Sequence, residues 1–488
     1  MSDELFQLSN GRYITSEDIS RKLYYIKDHH PETAYQDDST GYSWDEAGMA
    51  DLFSECYQND TRYCPEAKSW YTYETGKWHK DVGALLVSAK IKEFVRLMAL
   101  YCGEITDEEK RKQYMAFVGK MGDRRFRDRL MKDAADSMKI AAAQFDTHPY
   151  LINCLNGTYD LEHMKFREHR WDDFLTMQTN FEYTLQEVTC PRWEQFIKEV
   201  TQNKADYLQR ALGYSILGTS KEECMFILHG KTTRNGKSTM LDAIQHLLGD
   251  YSTVAPVELI CRGDRQKNAE AANPVLAKLK GKRMVTMSES DTAGKLDEAT
   301  IKQYTGGEDI TAREVYQSAI TFKPQFTMWL SCNDLPSVKD KSLFASDRVR
   351  VIEFNRHFTD EEQDKGLKDY FETPEAMRGI FTWLVAGYFK YIRFGLMSQG
   401  MQKVIKQYEK DNDLVLQFLE EKCERNAEGK TRAKSLYDNY KMWCKGNGYY
   451  VCSMKKFNAE LTAHPEWYAD KAVTQGVLFY YGVALRQN

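Results

Sequence analysis

One stretch of thirteen residues, HGKTTRNGKSTML at 229–241, constrains the fold of this chain more than any other. The apolar run CMFIL precedes it, and the amphipathic stretch STMLDAIQHLLG completes it. A glycine-bearing turn between a buried strand and a helix places backbone N–H groups and the positive end of a helix dipole where a phosphate can bind. The order therefore predicts an α/β domain with a parallel sheet and a phosphate-binding loop at its edge.

The loop departs from the usual pattern in its length. Five residues separate Gly230 from Gly236, whereas the usual motif has four. Gly-Lys-Ser/Thr triplets also begin at Gly230 and Gly429, but only the triplet at Gly236 has both a strand before it and a helix after it. We interpret the extra residue as a bulge on the strand side. The predicted ATP-binding residues are Gly230, Asn235, Gly236, Lys237, Ser238 and Thr239, with Lys237 on the β- and γ-phosphates and Ser238 on Mg²⁺.

Hydrolysis of a nucleotide also needs a carboxylate that orients water, a polar sensor and a positive charge. In chain order, Glu289 follows the run RMVTMS, Asn333 follows FTMWLSC, and Arg348 stands in SDRVRVIEF. We predict catalytic roles for these three residues and Lys237, and a second Mg²⁺ ligand in Glu289. Glu289 and the arginines also have a non-catalytic interpretation. Taken alone, Glu289 could be an ordinary acidic residue of a loop, and Arg348 and Arg350 could form a ladder of surface cations on one face of a strand.

Residues 281–354 resemble the superfamily 3 helicases of the AAA+ class, specifically the helicase part of phage, plasmid and poxvirus primase-helicases. The upstream segment FDTHPYLINCLNGTYDL is similar to the entry segment of that family. The resemblance implies that Gly236-Lys237-Ser238 is motif A, Ser288-Glu289 is motif B and Asn333 is sensor 1. It also implies that residues 302–313 lead into a DNA-contacting hairpin.

Two departures from the family affect the site residues. Where the family usually has two adjacent arginines, this chain has Asp347-Arg348. Arg348 is therefore the first candidate for the arginine finger and Arg350 the second. The hairpin tip, Tyr316-Gln317-Ser318, lacks the lysine that often grips DNA. The candidate DNA-binding residues are therefore Lys302, Arg313 and Lys323.

The function that the resemblance implies is an ATP-dependent, hexameric replicative DNA helicase of a phage or mobile element, moving 3′ to 5′ on single-stranded DNA. Forked DNA and a separate primase or polymerase are further expected partners. Two alternatives stay open: a DNA-binding replication initiator whose ATP site controls assembly only, and an AAA+ ATPase acting on protein. Stimulation of ATP hydrolysis by DNA would separate them.

The flanking sequence predicts four regions: a small α+β module at 1–80, a mostly helical entry and oligomerisation domain at 81–204, the ATPase domain at 205–397, and a linker with a winged helix at 398–488. In the last region, helix, turn, helix and a β pair fit a winged helix. Residues 430–458 carry seven Lys or Arg against one acid. Lys455 and Lys456 are the candidate DNA contacts, against the alternative of a solvated basic face.

The composition bears on which classes of protein this chain can belong to and on where it acts. The net charge of −5 does not by itself suggest a nucleic-acid binder, so local charge has to decide. The eleven cysteines are scattered, which argues against a disulfide framework and a zinc site. The apolar runs are too short to cross a membrane, and the first residues lack an apolar leader, so we expect a cytoplasmic protein, in a bacterial host if the source is a phage.

Overall fold

The computed structural model describes residues 5–7, 13–32, 42–186, 188–261, 273–288, 295–313, 319–338, 342–397 and 399–486. Its N-terminal part packs helices against a small antiparallel sheet. The elements are β1 (Leu5–Gln7), β2 (Tyr13–Thr15), α1 (Ser16–Asp28), α2 (Glu46–Tyr57), β3 (Thr61–Cys64), β4 (Ser69–Glu74), β5 (Lys77–Asp81), α3 (Leu85–Tyr101), α4 (Glu108–Met121) and α5 (Arg124–Ser137). One hydrophobic core runs from Ile26 to Met138, so the boundary predicted near residue 80 lies inside a single packed unit.

A second antiparallel sheet follows within the region predicted to be mostly helical. It contains β6 (Leu151–Cys154), β7 (Gly157–Asp160) and β8 (Lys165–Arg167). Tight turns join its first two strands and also the strands of the first sheet: Thr75-Gly76 joins β4 to β5, and Leu155-Asn156 joins β6 to β7. Gly76 has φ of 82°, which favours glycine, and a Cβ atom at Gly157, the first residue of β7, would lie 2.5 Å from Cζ of Phe166.

The central domain is built on a five-stranded parallel sheet, as the apolar runs predict. Its elements are α6 (Pro191–Thr201), α7 (Ala205–Ser215), β9 (Met225–His229), α8 (Lys237–Leu248), β10 (Ser252–Val254), α9 (Pro274–Ala277), β11 (Met284–Ser288), α10 (Glu298–Thr305), β12 (Ile310–Arg313), β13 (Ala319–Phe322), β14 (Thr327–Cys332), α11 (Ser342–Ala345), β15 (Val349–Glu353), α12 (Leu367–Phe371) and α13 (Pro374–Phe394). The strand order is β10-β11-β14-β9-β15, and all four pairings are parallel. The carboxyl ends of the strands therefore share one edge.

The stretch predicted as a linker is instead a helix, α14 (Gln399–Asp411). Its Ile405 and Tyr408 are buried in the same core as the central sheet. The Tyr408 hydroxyl also donates a hydrogen bond to the carbonyl oxygen of Pro336, which follows β14. Apolar residues three apart on one helical face anchor this polar helix to the central domain.

The C-terminal part has its own core around Phe418, Tyr440 and Phe457. It contains α15 (Leu414–Lys422), β16 (Cys423–Arg432), α16 (Ala433–Gly446), α17 (Met454–Thr462), β17 (Asp470–Thr474) and β18 (Val477–Leu485), with the antiparallel strand order β16-β18-β17. The predicted helix, turn, helix and β pair are present, and β16 adds a third strand. Among the helices described, none combines the length and apolar character that crossing a bilayer requires.

Candidate functional site: a phosphate-binding loop and its surroundings

The loop between β9 and α8 occupies the carboxyl edge of the central sheet. Gly236, immediately before α8, has φ of 84°, a backbone conformation that favours glycine. A Cβ atom at this position would lie 2.5 Å from Cγ1 of Val200 on α6. The turn therefore needs glycine both for its conformation and for its close approach to α6, and it leaves the N-terminus of α8 open to an anion.

The side chain of Lys237 joins this loop to the neighbouring strand. It is only 5% exposed, and its Nζ donates to the carbonyl oxygens of Gly230 (3.1 Å) and Cys332 (2.7 Å) and to Oδ1 of Asn333 (3.1 Å). Burial first, and then the charge of Lys237, lower the pKa of the His229 imidazole. Lys237 is thus a buried cation of the site, and its three contacts given above are with neutral oxygens, which bind an ammonium group less strongly than an anion does.

The extra residue of the loop lies in an exposed arch, residues 231–234, which contacts the segment after β15 rather than the strand. Arg234 has φ of 57°, and its carbonyl oxygen accepts a hydrogen bond of 2.9 Å from the backbone N–H of Phe358. His357 Nδ1 contacts the Thr233 carbonyl oxygen at 2.8 Å, and the Arg234 guanidinium pairs with Asp360. We call residues 357–360 and these contacts the loop latch.

A cavity of about 570 Å³ opens beside the loop, next to Gly236 and Thr239. Phe196 from α6 and Phe358 from the loop latch supply aromatic surfaces to it. Arg192 also lines it, and the buried Nη1 of Arg192 makes no hydrogen bond with any residue described. No motif in the sequence indicates this cavity, because its walls come from segments more than 150 residues apart.

The other predicted nucleotide and metal residues are placed as follows. Asn235 is buried and its amide nitrogen donates to the carbonyl oxygen of Thr232, which closes the arch. Ser238 is exposed and Thr239 half-buried in the first turn of α8. Glu289 lies outside the described residues, directly after Ser288, which ends β11 at the same sheet edge. Within the described ranges, no cluster of three His, Cys, Asp or Glu could hold a metal ion.

Arg348 lies at the opposite end of the sheet from the loop. Its carbonyl oxygen accepts from the N–H of Met225, the first residue of β9, so it sits at the amino edge. Its guanidinium donates to Glu223 Oε2 at 2.6 Å and to Thr305 Oγ1 at 2.8 Å. Since β15 begins at Val349, Arg348 precedes the strand instead of sharing one of its faces with Arg350.

Arg350 is 3% exposed and paired with Glu222 at 3.0 Å, so the surface-ladder alternative is wrong for this arginine. Glu222 also accepts a hydrogen bond of 3.0 Å from the hydroxyl of Tyr391 on α13. Arg350 therefore ties β15 to the rest of its own domain, whereas Arg348, with 16% of its side chain exposed, is the more accessible arginine.

The predicted DNA-binding residues fall in three different environments. Lys302 is half-buried on α10, and its Nζ donates to Ser342 Oγ at 2.6 Å. Arg313 and Lys323 are exposed, at the end of β12 and just after β13, and the hairpin tip 316–318 between these strands lies outside the described residues. Lys455 is exposed near the start of α17, and its neighbour Lys456 is half-buried, 3.9 Å from Glu460.

Three family models match successive parts of the chain. Residues 50–202 match "D5 N terminal like", residues 228–348 match a family of unknown function, and residues 410–477 match "Poxvirus D5 protein-like". The middle match contains the phosphate-binding loop, Asn333 and Arg348. Each of the three covers less than half of the chain.

Relatives with assigned names come from several viruses. Helicase L207/L206 of Acanthamoeba polyphaga mimivirus, a helicase by inference, is 27% identical over 418 residues, which are 78% of this chain and 43% of that protein. Helicase V13 of Sputnik virophage, also inferred, is 25% identical over 43% of this chain and 29% of its own length. Primase D5 of fowlpox virus is 24% identical over 52% of this chain and 33% of its own length.

The chain thus spans less than half the length of these relatives. Among solved structures, the C-terminal region of NrS-1 superposes with a TM-score of 0.48 at 10% identity, covering 90% of this chain and all of that one. A superposition this loose does not establish a shared fold. The family models and the named relatives together support a primase-helicase family for this chain.

Proposed function

We propose that this chain is the ATP-dependent motor of a viral DNA helicase of the superfamily 3, AAA+ type. The observation that carries the proposal is the position of Lys237. A buried ammonium group links the glycine turn to Asn333 at the end of the adjacent strand. Phosphoryl transfer needs this pairing of a phosphate-binding cation with a polar group beside it. The names of the viral relatives agree with such an activity.

ATP and Mg²⁺ are the proposed cofactors, and the described residues fit a nucleotide. The close-packed turn at Gly236 and the buried Lys237 suit the phosphates. The aromatic cavity beside Thr239 has room for the base and sugar. Ser238 would hold Mg²⁺ together with Glu289, and Asn333 would sense the γ-phosphate. In this mechanism Glu289 orients the attacking water, and the hydrolysis of ATP supplies the free energy for movement.

The proposed assembly is a hexameric ring in which Arg348 acts on a neighbour. β15 separates Arg348 from the loop edge, and its five residues span about 16 Å at roughly 3.3 Å per residue. Arg348 is therefore too far from the loop of its own subunit, and a head-to-tail neighbour is the simplest way to bring the two ends together. The 3′ to 5′ polarity is proposed from the family resemblance.

Two regions are proposed to contact DNA. The β12–β13 hairpin, with exposed Arg313 next to its tip and exposed Lys323 at its base, would hold a single strand in the ring channel. The C-terminal part has the element order of a winged helix, in which α17 would lie against duplex DNA with Lys455 and Lys456 near the phosphates. A separate primase or polymerase remains a proposed partner.

The test is the rate of ATP hydrolysis with and without single-stranded DNA. We expect DNA to stimulate the wild-type rate and Lys237→Ala to lower it at least about 100-fold, since a preorganised charged donor is removed. Arg348→Ala should lower it about 10³- to 10⁵-fold. Lys231→Ala, which removes an exposed lysine of the same loop, is the matched control and should keep the rate.

Each alternative function predicts a different result. Hydrolysis that is indifferent to DNA would favour an ATPase acting on protein. Slow hydrolysis that Glu289→Gln leaves unchanged would favour an initiator whose ATP site controls assembly. Hydrolysis that persists in Lys237→Ala would rule out the loop as the nucleotide site.

A further inference from the structure

A dense group of cations lies far along the chain from the proposed nucleotide site. Helices α4 and α5 with the turn between them, residues 108–137, carry nine Lys or Arg and six Asp or Glu, an excess of +3 in a chain whose net charge is −5. The cations are concentrated between residues 110 and 129, where eight Lys or Arg stand against two acids, and Glu108, Glu109, Asp133 and Asp136 flank this stretch. None of these cations belongs to the loop, the hairpin or the C-terminal part.

The packing of the two helices places these cations outside. Tyr114 and Phe117 of α4 and Phe126 and Leu130 of α5 are buried, and the rings of Phe117 and Phe126 meet edge to face at 6.0 Å. The opposite faces are therefore exposed. We define the basic ridge as the exposed cations of these faces: Lys110, Lys112, Lys120, Arg124, Arg125, Arg129 and Lys132.

The ridge is regularly spaced along α5. At 100° per residue, Arg125, Arg129 and Lys132 fall within an arc of about 60° and extend over about 10 Å of helix axis. Lys120, at the end of α4, is separated from Arg124 only by the turn that includes Gly122 and Asp123. Asp128 and Asp136 are also exposed on or beside this face of α5, so the positive charge is concentrated around the turn between the two helices, at Lys120, Arg124 and Arg125.

Few of the ridge cations are neutralised by the protein. Arg129 pairs with Glu46 at 2.6 Å, and Arg124 lies 3.6 Å from Asp128 while 86% of its side chain is exposed. Lys120, Arg125 and Lys132 form no ion pair with any other described residue. Farther along α5 the exposed acids Asp128, Asp133 and Asp136 are interspersed with the cations, as on an ordinary solvated helix face. The end of the ridge at the turn between α4 and α5, where Lys120 and Arg125 have no ion-pair partner among the described residues, suits a partner with a regular array of negative charges.

We propose that the basic ridge of α4 and α5 binds the phosphate backbone of nucleic acid, as a contact additional to the hairpin and the C-terminal part. Lysine and arginine contacts to phosphates give affinity that depends on salt and not on sequence. The ridge would hold DNA against the N-terminal part while the ATPase domain acts on it. This inference rests on the proposed action on DNA.

The test compares two charge-reversed variants of the full chain. Lys120→Glu/Arg125→Glu changes the ridge, and Lys403→Glu/Lys406→Glu changes exposed lysines of α14; each alters the net charge by 2 × (−2) = −4. The dissociation constant for a short single strand and for a duplex of unrelated sequence is measured over a salt series. The slope of log K against log salt falls by about 0.7 to 0.9 for every phosphate that the protein no longer neutralises.

We expect this slope to fall by about 1.4 to 1.8 in the ridge variant and by much less in the α14 variant. DNA-free ATP hydrolysis and the circular-dichroism melting curve should stay unchanged in both. Equal slopes in the two variants would overturn the ridge proposal. A ridge variant that binds DNA normally but changes its oligomeric mass would also overturn it, in favour of a contact between subunits. If the wild type binds no DNA at all, the proposed function fails, independently of the ridge.

Discussion

At the residue scale, Arg234 shows how the chain accommodates a phosphate-binding loop with one residue too many. Its positive φ turns the arch outward, and its carbonyl oxygen and guanidinium are both held by the loop latch. Asn235 then turns inward and is buried. The extra residue thus lies in the arch, which the latch holds, while Gly236 keeps a positive φ immediately before α8.

We expect Arg234→Ala to raise the KM for ATP about two- to fivefold and to leave kcat nearly unchanged. Asp360 is highly exposed, so the ion pair contributes only about 0.5 to 1 kcal/mol, and its removal affects the resting shape of the loop. Steady-state kinetics at saturating DNA measures both constants. Arg234→Lys, which keeps the charge, should recover part of the affinity.

The control for this prediction is Lys231→Ala, which removes an exposed cation of the same arch and should leave KM unchanged. A fall in kcat with constant KM would show that Arg234 acts on the chemical step. Equal KM values for Arg234→Ala and the wild type would show that the latch does not hold the loop.

At the scale of elements, two adjacent glutamates before β9 form ion pairs with the two arginines at the start of β15. Glu222 pairs with buried Arg350, whereas Glu223 pairs with Arg348 and is half-exposed. The two ion pairs therefore differ in what they contribute. The buried pair fixes β15 against α13, and the exposed pair holds Arg348 at the surface.

Arg350→Leu should lower the free energy of unfolding by about 1 to 3 kcal/mol, because it leaves the carboxylate of Glu222, whose side chain is 21% exposed, without its cation. Arg348→Ala should lower it by about 1 kcal/mol or less, since Glu223 remains solvated. Urea unfolding followed by tryptophan fluorescence measures both. Equal losses would contradict the division into a structural and an accessible arginine.

The sequence predicted the elements whose pattern is local. The runs CMFIL, RMVTM, FTMWLSCN and RVRVIEF became β9, β11, β14 and β15, because strands buried on both faces are apolar throughout. β10 did not stand out, since Ser252–Val254 is a short edge strand with two hydroxyl side chains. The polar helix α14 was mistaken for a linker, because only its apolar stripe around Ile405 and Tyr408 is buried.

Contacts between distant segments could not be predicted in the same way. The loop latch joins residues more than 120 positions apart, and the burial of Arg350 depends on Glu222, 128 positions earlier. The sequence assigned Lys237 and Asn333 to one candidate site, and the structure places Nζ of Lys237 3.1 Å from Oδ1 of Asn333, because both residues follow strands at the carboxyl edge of one sheet. It could not indicate which arginine would be buried.

At the scale of the whole molecule, the nucleotide loop and Arg348 mark opposite edges of one sheet. In the proposed function, a subunit with this layout has a phosphate-binding half-site on one side and an accessible cation, Arg348, on the other. Head-to-tail association joins each half-site to the next cation and generates a closed ring when the rotation permits. The layout therefore makes a specific prediction about mixtures of defective subunits.

Lys237→Ala subunits keep Arg348 and lack the loop lysine, whereas Arg348→Ala subunits keep the intact loop and lack the arginine. Each should be inactive alone, but a mixed ring places an intact loop next to an intact arginine. For random 1:1 assembly, a site is complete when its subunit and its neighbour are the right pair, so roughly a quarter of the wild-type rate should return. The variants are co-expressed with different tags and purified through both before ATP hydrolysis is measured.

The control is co-expression of Lys237→Ala with the double variant Lys237→Ala/Arg348→Ala, in which every loop is defective and no ratio of subunits completes a site. Recovery in the first mixture but not in the control would establish that Arg348 acts across a subunit boundary. Mixed oligomers that stay inactive would mean that Arg348 serves its own subunit or none. In either case no neighbour would receive Arg348, and a ring would need another residue to supply positive charge across the subunit boundary.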